Sequence, residues 1–367
     1  MEAPVFASKL GNGKWVGIRY ILERCPICGG EGTMMFTGAG IWGCTQCRKG
    51  GKSLDSLRDY AKTDPMLVSV IPSIVDPVSP DQALIVSEYV SPFKGQTIGS
   101  GFGILDAAIG GLTESALTII TGKRGEGKST FLGQVALNAI ENRHHVCFYS
   151  GELSAGRFQE WIFSQAAGSR NMSPYPDQFG TTRWAVRNEA EKKIREWLGK
   201  KLLMYDNTKT KASERHTILR CFREVRSYYG CDLFVVDNLM TAKADTDVDQ
   251  NALRAQANFA GEMMDFAREA SVHVIIVAHQ KKGENADVND GVSGLSEITN
   301  LASNVILVKR VDEYDRNKHN CDSLVIVSKN RDYGDCGTFE FNFDKPSKRF
   351  VPLYGSTISK YGWEMIT

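Results

Sequence analysis

Residues 116–130, ALTIITGKRGEGKST, begin as a short apolar strand, pass through a glycine-rich turn, and end on a lysine and a serine that open a helix. This is the G-x-x-x-x-G-K-[ST] phosphate-binding loop. Gly122, Gly125 and Gly127 let backbone N–H groups fold around a polyphosphate, with Glu126 and Thr130 completing the loop and the first turn after it. Lys128 is placed to reach β- and γ-phosphates, and the Ser129 hydroxyl to hold Mg²⁺. The following helix, FLGQVALNAIEN, aims its N-terminal dipole at the anion. The strand before and the helix after are the context this motif requires, so the sequence predicts ATP and Mg²⁺ as ligands.

Strands and helices alternate downstream, which predicts an α/β fold with a mostly parallel sheet wrapped by helices. The apolar run HVCFYS delivers Gly151-Glu152-Leu153 to a strand end. The polar stretch TTRWAVRNEAEKKIREWLGKK reads as one long helix leading to LLMYD, and a helix over 213–229 leads to CDLFVVDNL. There four apolar residues carry Asp237 to the sheet edge, where its carboxylate can hold the water shell of Mg²⁺. A helix over 251–270 and the strand VHVIIVAHQ, ending in His279, follow, and NVILVKR, SLVIVSKNR and TFEFNF complete the expected sheet. Glu152, Asp237 and His279 each fall at the carboxyl end of a strand, the edge where such sheets keep their ligands. The acidic run 245–249, DTDVD, is not a calcium loop, because Gln250 stands where the turn glycine belongs and Gln256 where the last carboxylate belongs.

Four of the nine cysteines form Cys25-Pro-Ile-Cys28 and Cys44-Thr-Gln-Cys47, separated by fifteen residues. That is the spacing of a closed, tetrahedral Zn²⁺ site. The glycine pairs Gly29-Gly30 and Gly50-Gly51 give the turns that bring backbone N–H groups toward thiolates. A zinc ribbon is therefore expected over about residues 14–55, with WVGIRYILE and IWGC as strands. Arg19, Arg24, Arg48, Lys49 and Lys52, interleaved with Trp15, Tyr20 and Trp42, suit a nucleic-acid surface; a ribbon this small must also place at least one aromatic in its core, and its surface suits a protein contact equally well. Residues 63–95 hold five of the eleven prolines and read as a semi-rigid tether with one short helix over DQALIVSEYV. The expected organisation is a ribbon domain at 1–62, a linker at 63–95 and an ATPase domain at 96–367.

Composition is that of an ordinary globular chain: 367 residues, 42% hydrophobic, 24% charged, net charge +1. A globally basic nucleic-acid coat is excluded. Residues 1–64 carry nine Lys/Arg against six Asp/Glu, while the remainder carries 35 against 37, so any basic surface is local. No apolar run approaches a membrane span and the first residues lack a signal-peptide core, so a cytoplasmic protein with no membrane partner is expected.

GFGILDAAIGGL, TGKRGEGKSTF, YSGEL, LFVVDNL, IIVAHQKK and above all VSKNRDYGDCGTFEFNFD make residues 99–355 resemble the RecA-like motor of hexameric replicative helicases of the DnaB and Twinkle type, including the helicase half of phage primase-helicases. The resemblance implies an ATP-hydrolysing ring that translocates on single-stranded DNA and unwinds forked duplex, with primase or polymerase as further partners. It implies that Glu152 is the general base, that His279 senses the γ-phosphate, and that Arg331 is an arginine finger inserted into the neighbouring subunit's site and supported by Lys329. Arg310 and Tyr354 would clamp the nucleotide base. Lys281 and Lys282 would contact DNA phosphates, and Gly291 and Gly294 would allow close backbone approach in the same DNA-gripping loop. Thr299-Asn300 stands where phage relatives carry an arginine–glutamine sensor pair. Only 74 residues separate Cys47 from Gly122, too few for a primase catalytic domain. Two other readings stay open: a RadA-like recombination ATPase, and a non-motor, ATP-gated factor that binds or loads single-stranded DNA.

Overall fold

The computed structural model describes residues 7, 10–63, 97–208, 217–242, 252–279, 296–312 and 315–365. The chain divides into two compact units, residues 1–92 and 93–367.

In the first unit, β1 (Gly13–Val16), β2 (Arg19–Leu22), β3 (Met34–Thr37), β4 (Trp42–Cys44) and β5 (Gly50–Gly51) form one antiparallel sheet in sequence order, followed by α1 (Leu54–Thr63). The expected single strand WVGIRYILE is instead a hairpin. Gly17, at φ +61°, turns the chain so that Trp15 pairs with Tyr20 and Val16 with Arg19. The register continues from Tyr20 to Phe36 and from Phe36 to Trp42, an aromatic row on one face of the sheet. Phe36 and Trp42 are buried while Trp15 stays half in solvent, so the inner aromatics are core, packed with Leu22, Met34 and Leu57.

The second unit opens with β6 (Thr97–Ile98), α2 (Gly103–Ile109) and β7 (Leu112–Thr113), where β6 and β7 pair antiparallel. Its main sheet has nine strands: β8 (Ala116–Gly122), β9 (Val146–Ser150), β12 (Leu202–Met204), β13 (Leu233–Asp237), β14 (His273–His279), β15 (Asn304–Arg310), β16 (Ser323–Asn330), β17 (Gly337–Asp344) and β18 (Arg349–Pro352). The order is β12-β9-β13-β14-β8-β15-β16-β17-β18, parallel through β15 and antiparallel from β16 onward. Strand β18 is an addition to the sequence expectation.

The central strands are buried along their whole length, as the strands of a sheet covered on both faces must be. Alternate side chains part to the two sides. Ile120, Val235, Ile275 and Val277 pack under α3 (Lys128–Glu141), α4 (Ala155–Ala167) and α5 (Asn188–Leu198). Ile119, Phe234, Val236 and Ile276 pack under α6 (Thr217–Tyr229) and α7 (Ala252–Ala270). A short helix, α8 (Ser296–Leu301), precedes β15.

The long helix expected over TTRWAVRNEAEKKIREWLGKK is only half helical. Thr182–Val186 forms β11, paired antiparallel with β10 (Met172–Pro176), and α5 begins at Asn188. β-branched and aromatic residues in TTRWAV favour extended backbone. Asp177 then fixes the turn, its carboxylate accepting from the N–H groups of Phe179 and Thr181 and from Arg183 Nε. The helices expected over 213–229 and 251–270 run from Thr217 and Ala252 in the described residues. Residues 64–95 of the expected tether, with its short helix, and the expected loop residues Lys281, Lys282, Gly291 and Gly294, lie outside the described residues, while Thr63 ends α1. No helix among the described residues is long and apolar enough to cross a membrane.

Candidate functional site

Strand β8 ends at Gly122, and the chain turns through Gly125 and Gly127, at φ +82° and +91°, into α3. These are left-handed conformations that glycine adopts without a Cβ clash. Glu126 Oε2 accepts from the N–H of Lys123 at 2.7 Å, so the loop is stapled across its own mouth. Lys128, buried at the first helical position, donates to the carbonyls of Gly122 at 2.9 Å and Lys123 at 2.7 Å. Burial pulls its ammonium below the usual lysine range, opposed by the carboxylates of Glu126, Asp237 and Glu152. The Thr130 carbonyl accepts from Gln165 Nε2 at 2.7 Å and so ties the loop's helix to α4.

Asp237 closes β13 beneath this loop and is 5% exposed. Burial raises its carboxyl above the ordinary aspartate range, and a hydrogen bond from Ser129 pulls the other way. A hydroxyl and a carboxylate held together beside a buried lysine are an oxygen donor set suited to a hard cation such as Mg²⁺ beside an anion. The residues present therefore fit a magnesium nucleotide.

Glu152 stands just past β9, with its side chain 55% exposed. Its carboxylate Oε1 accepts from Asn238 Nδ2 at 2.5 Å and lies 3.7 Å from His279 Nε2. The same Asn238 nitrogen is 3.0 Å from His279 Nε2, and Asn238 Oδ1 accepts from the Thr241 N–H at 3.2 Å. With its oxygen held by Thr241, the amide turns both N–H groups outward, one to the carboxylate and one to the imidazole. That geometry presents Nε2 as an acceptor, and Nδ1 is buried with no hydrogen-bond partner among the described residues. Burial, aided by the Lys128 ammonium, lowers the His279 pKa, opposed by the Glu152 carboxylate.

Three strand ends, β9, β13 and β14, thus bring Glu152, Asp237 and His279 to the loop, as the sequence placed them. Asn238 was missed. It is adjacent to Asp237 in VVDN, and its position one residue past a ligand-bearing strand end was the available signal.

Of the other expected residues, Arg310 falls at the loop's edge of the sheet, on the strand that pairs with β8. Arg310 ends β15 exposed, and Tyr354, after β18, is 70% exposed. Lys329 and Arg331 end the β16 side of the sheet at its opposite edge. Asn330 is level with Asn304, which is level with Thr118, four residues before Gly122, or about 13 Å along a strand. Lys329 Nζ donates to the Thr299 carbonyl at 2.7 Å, and the exposed Arg331 guanidinium donates to the Asn300 carbonyl at 2.6 Å. Both side chains meet the last carbonyls of α8, where cations are favoured. Thr299 and Asn300 therefore contribute their main chain to these two residues.

In the first unit, the sulfur atoms of Cys25, Cys28, Cys44 and Cys47 all lie within 4.8 Å of one another, with Cys28 Sγ and Cys44 Sγ 3.7 Å apart. Bonds of about 2.3 Å to a tetrahedral zinc separate sulfurs by about 3.8 Å, so the four thiols fit a Zn²⁺ ion. Of the other cysteines, Cys147, Cys231 and Cys321 are buried, Cys221 is half-buried and Cys336 is exposed.

Fold and site together define a RecA-like P-loop NTPase. Residues 97–352 match the DnaB-like helicase C-terminal domain, and the chain belongs to that family. It is 22% identical over 270 residues to the replicative DNA helicase DnaB of Geobacillus stearothermophilus, covering 70% of this chain and 56% of that protein. It is 22% identical over 268 residues to the replicative DNA helicase DnaC of Bacillus subtilis (strain 168), covering 71% and 58%. The chain spans a little over half the length of these relatives. Among solved structures, the ATPase domain of G40P superposes with a TM-score of 0.57 at 20% identity, covering 76% of this chain and 100% of that one. A DnaB-like replicative helicase described with its interactions with primase gives a TM-score of 0.57 at 19% identity, covering 82% and 74%.

Proposed function

We propose that this protein is an ATP-hydrolysing DNA helicase that works as a homo-oligomeric ring, hexameric by family resemblance, moving on single-stranded DNA and unwinding forked duplex during replication. The observation that carries this reading is the convergence of Lys128, Asp237, Glu152 and His279 on one edge of the sheet, with Lys329 and Arg331 at the opposite edge. Arg331 is too far from its own chain's loop to serve it, so a shared site needs a neighbour. Lys128 and the loop N–H groups hold the phosphates, Glu152 accepts the proton of the attacking water, and His279 reads the γ-phosphate. Magnesium, held through Ser129 and Asp237, would neutralise charge on the phosphate oxygens. Arg310 and Tyr354 flank the base, and Lys281, Lys282, Gly291 and Gly294 form the DNA loop. Primase or polymerase is the further partner class proposed for this role.

The test joins fork unwinding with electron microscopy in the presence of an ATP analogue and single-stranded DNA. Rings and ATP-dependent strand displacement are expected. DNA-stimulated hydrolysis without displacement would indicate a non-motor loading factor, and a preference for recombination intermediates over forks a RadA-like ATPase. Either result would overturn the helicase reading.

The ribbon at 1–62 is proposed to fold on its own zinc and to be separated by the 63–95 tether from the motor at 96–367. About one zinc per chain is expected by elemental analysis, carried by Cys25, Cys28, Cys44 and Cys47. Removal of residues 1–62 should leave a folded ATPase with hydrolysis intact and no zinc. Metal-free purified protein would sink the ribbon site, and an unfolded truncation would sink the independence of the two parts.

A further inference from the structure

We propose that Asn330 is the residue that positions Arg331 for action on the neighbouring subunit. The proposal rests on the reading of Arg331 as a finger and adds to it the means by which the finger is held.

Arg331 sits in the turn between β16 and β17, an exposed connection whose residues 331–336 all face solvent. Asn330, immediately before it, is 6% exposed and uses both ends of its amide. Nδ2 donates to the Ala108 carbonyl at 3.0 Å and to the Asp335 carbonyl at 3.1 Å, and Oδ1 accepts from the Tyr333 N–H at 3.2 Å. Two of these bonds span the turn, and the third fastens it to the last turn of α2.

Other contacts run to the same neighbours. Thr113 Oγ1 donates to Asp332 Oδ2 at 3.3 Å, and the Arg331 N–H donates to the Ser303 carbonyl at 2.8 Å. The Tyr333 ring lies against Gly110, which is at φ +69°; a Cβ there would collide with Tyr333 Cε2. The turn therefore has a fixed attitude relative to α2 and β7, and Asn330 is its only fully buried residue among 330–335. A buried amide with both its donors and its acceptor engaged is costly to replace by an apolar group, because the partners lose their bonds along with it. The same bonds leave the guanidinium of Arg331 outside the network, held among the described residues by its bond to the Asn300 carbonyl and exposed to solvent.

A displacement of about 1 Å at a catalytic group can cost on the order of 10²-fold in rate. Asn330→Ala in the full chain is therefore expected to lower kcat for ATP on the order of 10²-fold, with the affinity of the same chain for a fluorescent ATP analogue unchanged. The decisive readout is the double variant. If Asn330 acts through the finger, Asn330→Ala/Arg331→Ala is no slower than Arg331→Ala alone, because there is no finger left to misplace. A general structural defect would instead multiply the two losses. Asn330→Ser, which removes the amide without burying a charge or an apolar group, serves the same cycle should the alanine variant fail to fold. An Asn330 variant at the parental rate beside a crippled Arg331→Ala, or multiplicative losses in the double variant, would overturn the positioning role while leaving the finger intact. A fully active Arg331→Ala would remove the finger reading itself.

Discussion

Glu152→Gln protein is expected to bind ATP as the parent does and to hydrolyse it on the order of 10²–10⁴ times more slowly, the usual cost of losing a general base. In activation free energy that is about 2.7–5.5 kcal/mol. The amide keeps the shape of the carboxylate and an oxygen to accept the short hydrogen bond from Asn238 Nδ2, so the surroundings of Lys128 and Asp237 are preserved. What it loses is the basic lone pair toward water. The side chain is more than half exposed, so a water has access to it, and the change buries nothing new. Binding of a fluorescent nucleotide and turnover at saturating ATP separate the two effects. Near-parental turnover would place the base elsewhere, and His279 is then the nearest alternative in the cluster.

The parts of this molecule that were legible in its sequence are those governed by short-range chemistry. The loop 122–130 could be read because a phosphate cradle needs glycines at fixed steps before a lysine, and the structure places Gly125 and Gly127 at the positive φ values such a turn requires. The central strands could be read because a sheet covered on both faces needs uninterrupted apolar runs, and VCFYS, LFVVD and HVIIVAH are buried nearly throughout. Where two periodicities competed, the reading failed. In TTRWAVRNEAEKKIREWL the helical charge pattern of the second half was extended over the first, although the hydrogen bonds of Asp177, set by a turn four to six residues away, hold the first half as a strand. Asn238 escaped for another reason. Its position one residue past the strand end of Asp237 was the sole hint in the sequence; its role depends on Thr241 turning its amide and on two residues from distant strands meeting it, a relation of three dimensions. The contacts of Lys329 and Arg331 with the last carbonyls of α8 are likewise tertiary, and they give Thr299-Asn300 a main-chain part that its side chains do not suggest.

Mixing Arg331→Ala with Lys128→Ala protein is expected to restore part of the ATPase activity that each variant alone has lost. An arginine finger stabilises charge developing on the transferred phosphoryl group, and its removal costs roughly 10³-fold or more, about 4 kcal/mol of barrier. If Arg331 served only its visible bond to the Asn300 carbonyl, its loss would remove one exposed hydrogen bond worth about 0.5–1.5 kcal/mol of stability and would not touch turnover. The two magnitudes differ enough for the single variant to discriminate. The mixture then asks where the finger acts. Strand register sets Arg331 at the sheet edge opposite the loop that carries Lys128, so one chain supplies the loop and another the finger. In mixed rings some interfaces pair the intact loop of an Arg331→Ala subunit with the intact finger of a Lys128→Ala subunit, and those interfaces hydrolyse ATP. Recovery should peak near equal proportions and vanish when either protein also carries the other substitution. No recovery in rings verified to be mixed, or an Arg331→Ala protein at full activity, would falsify the shared site.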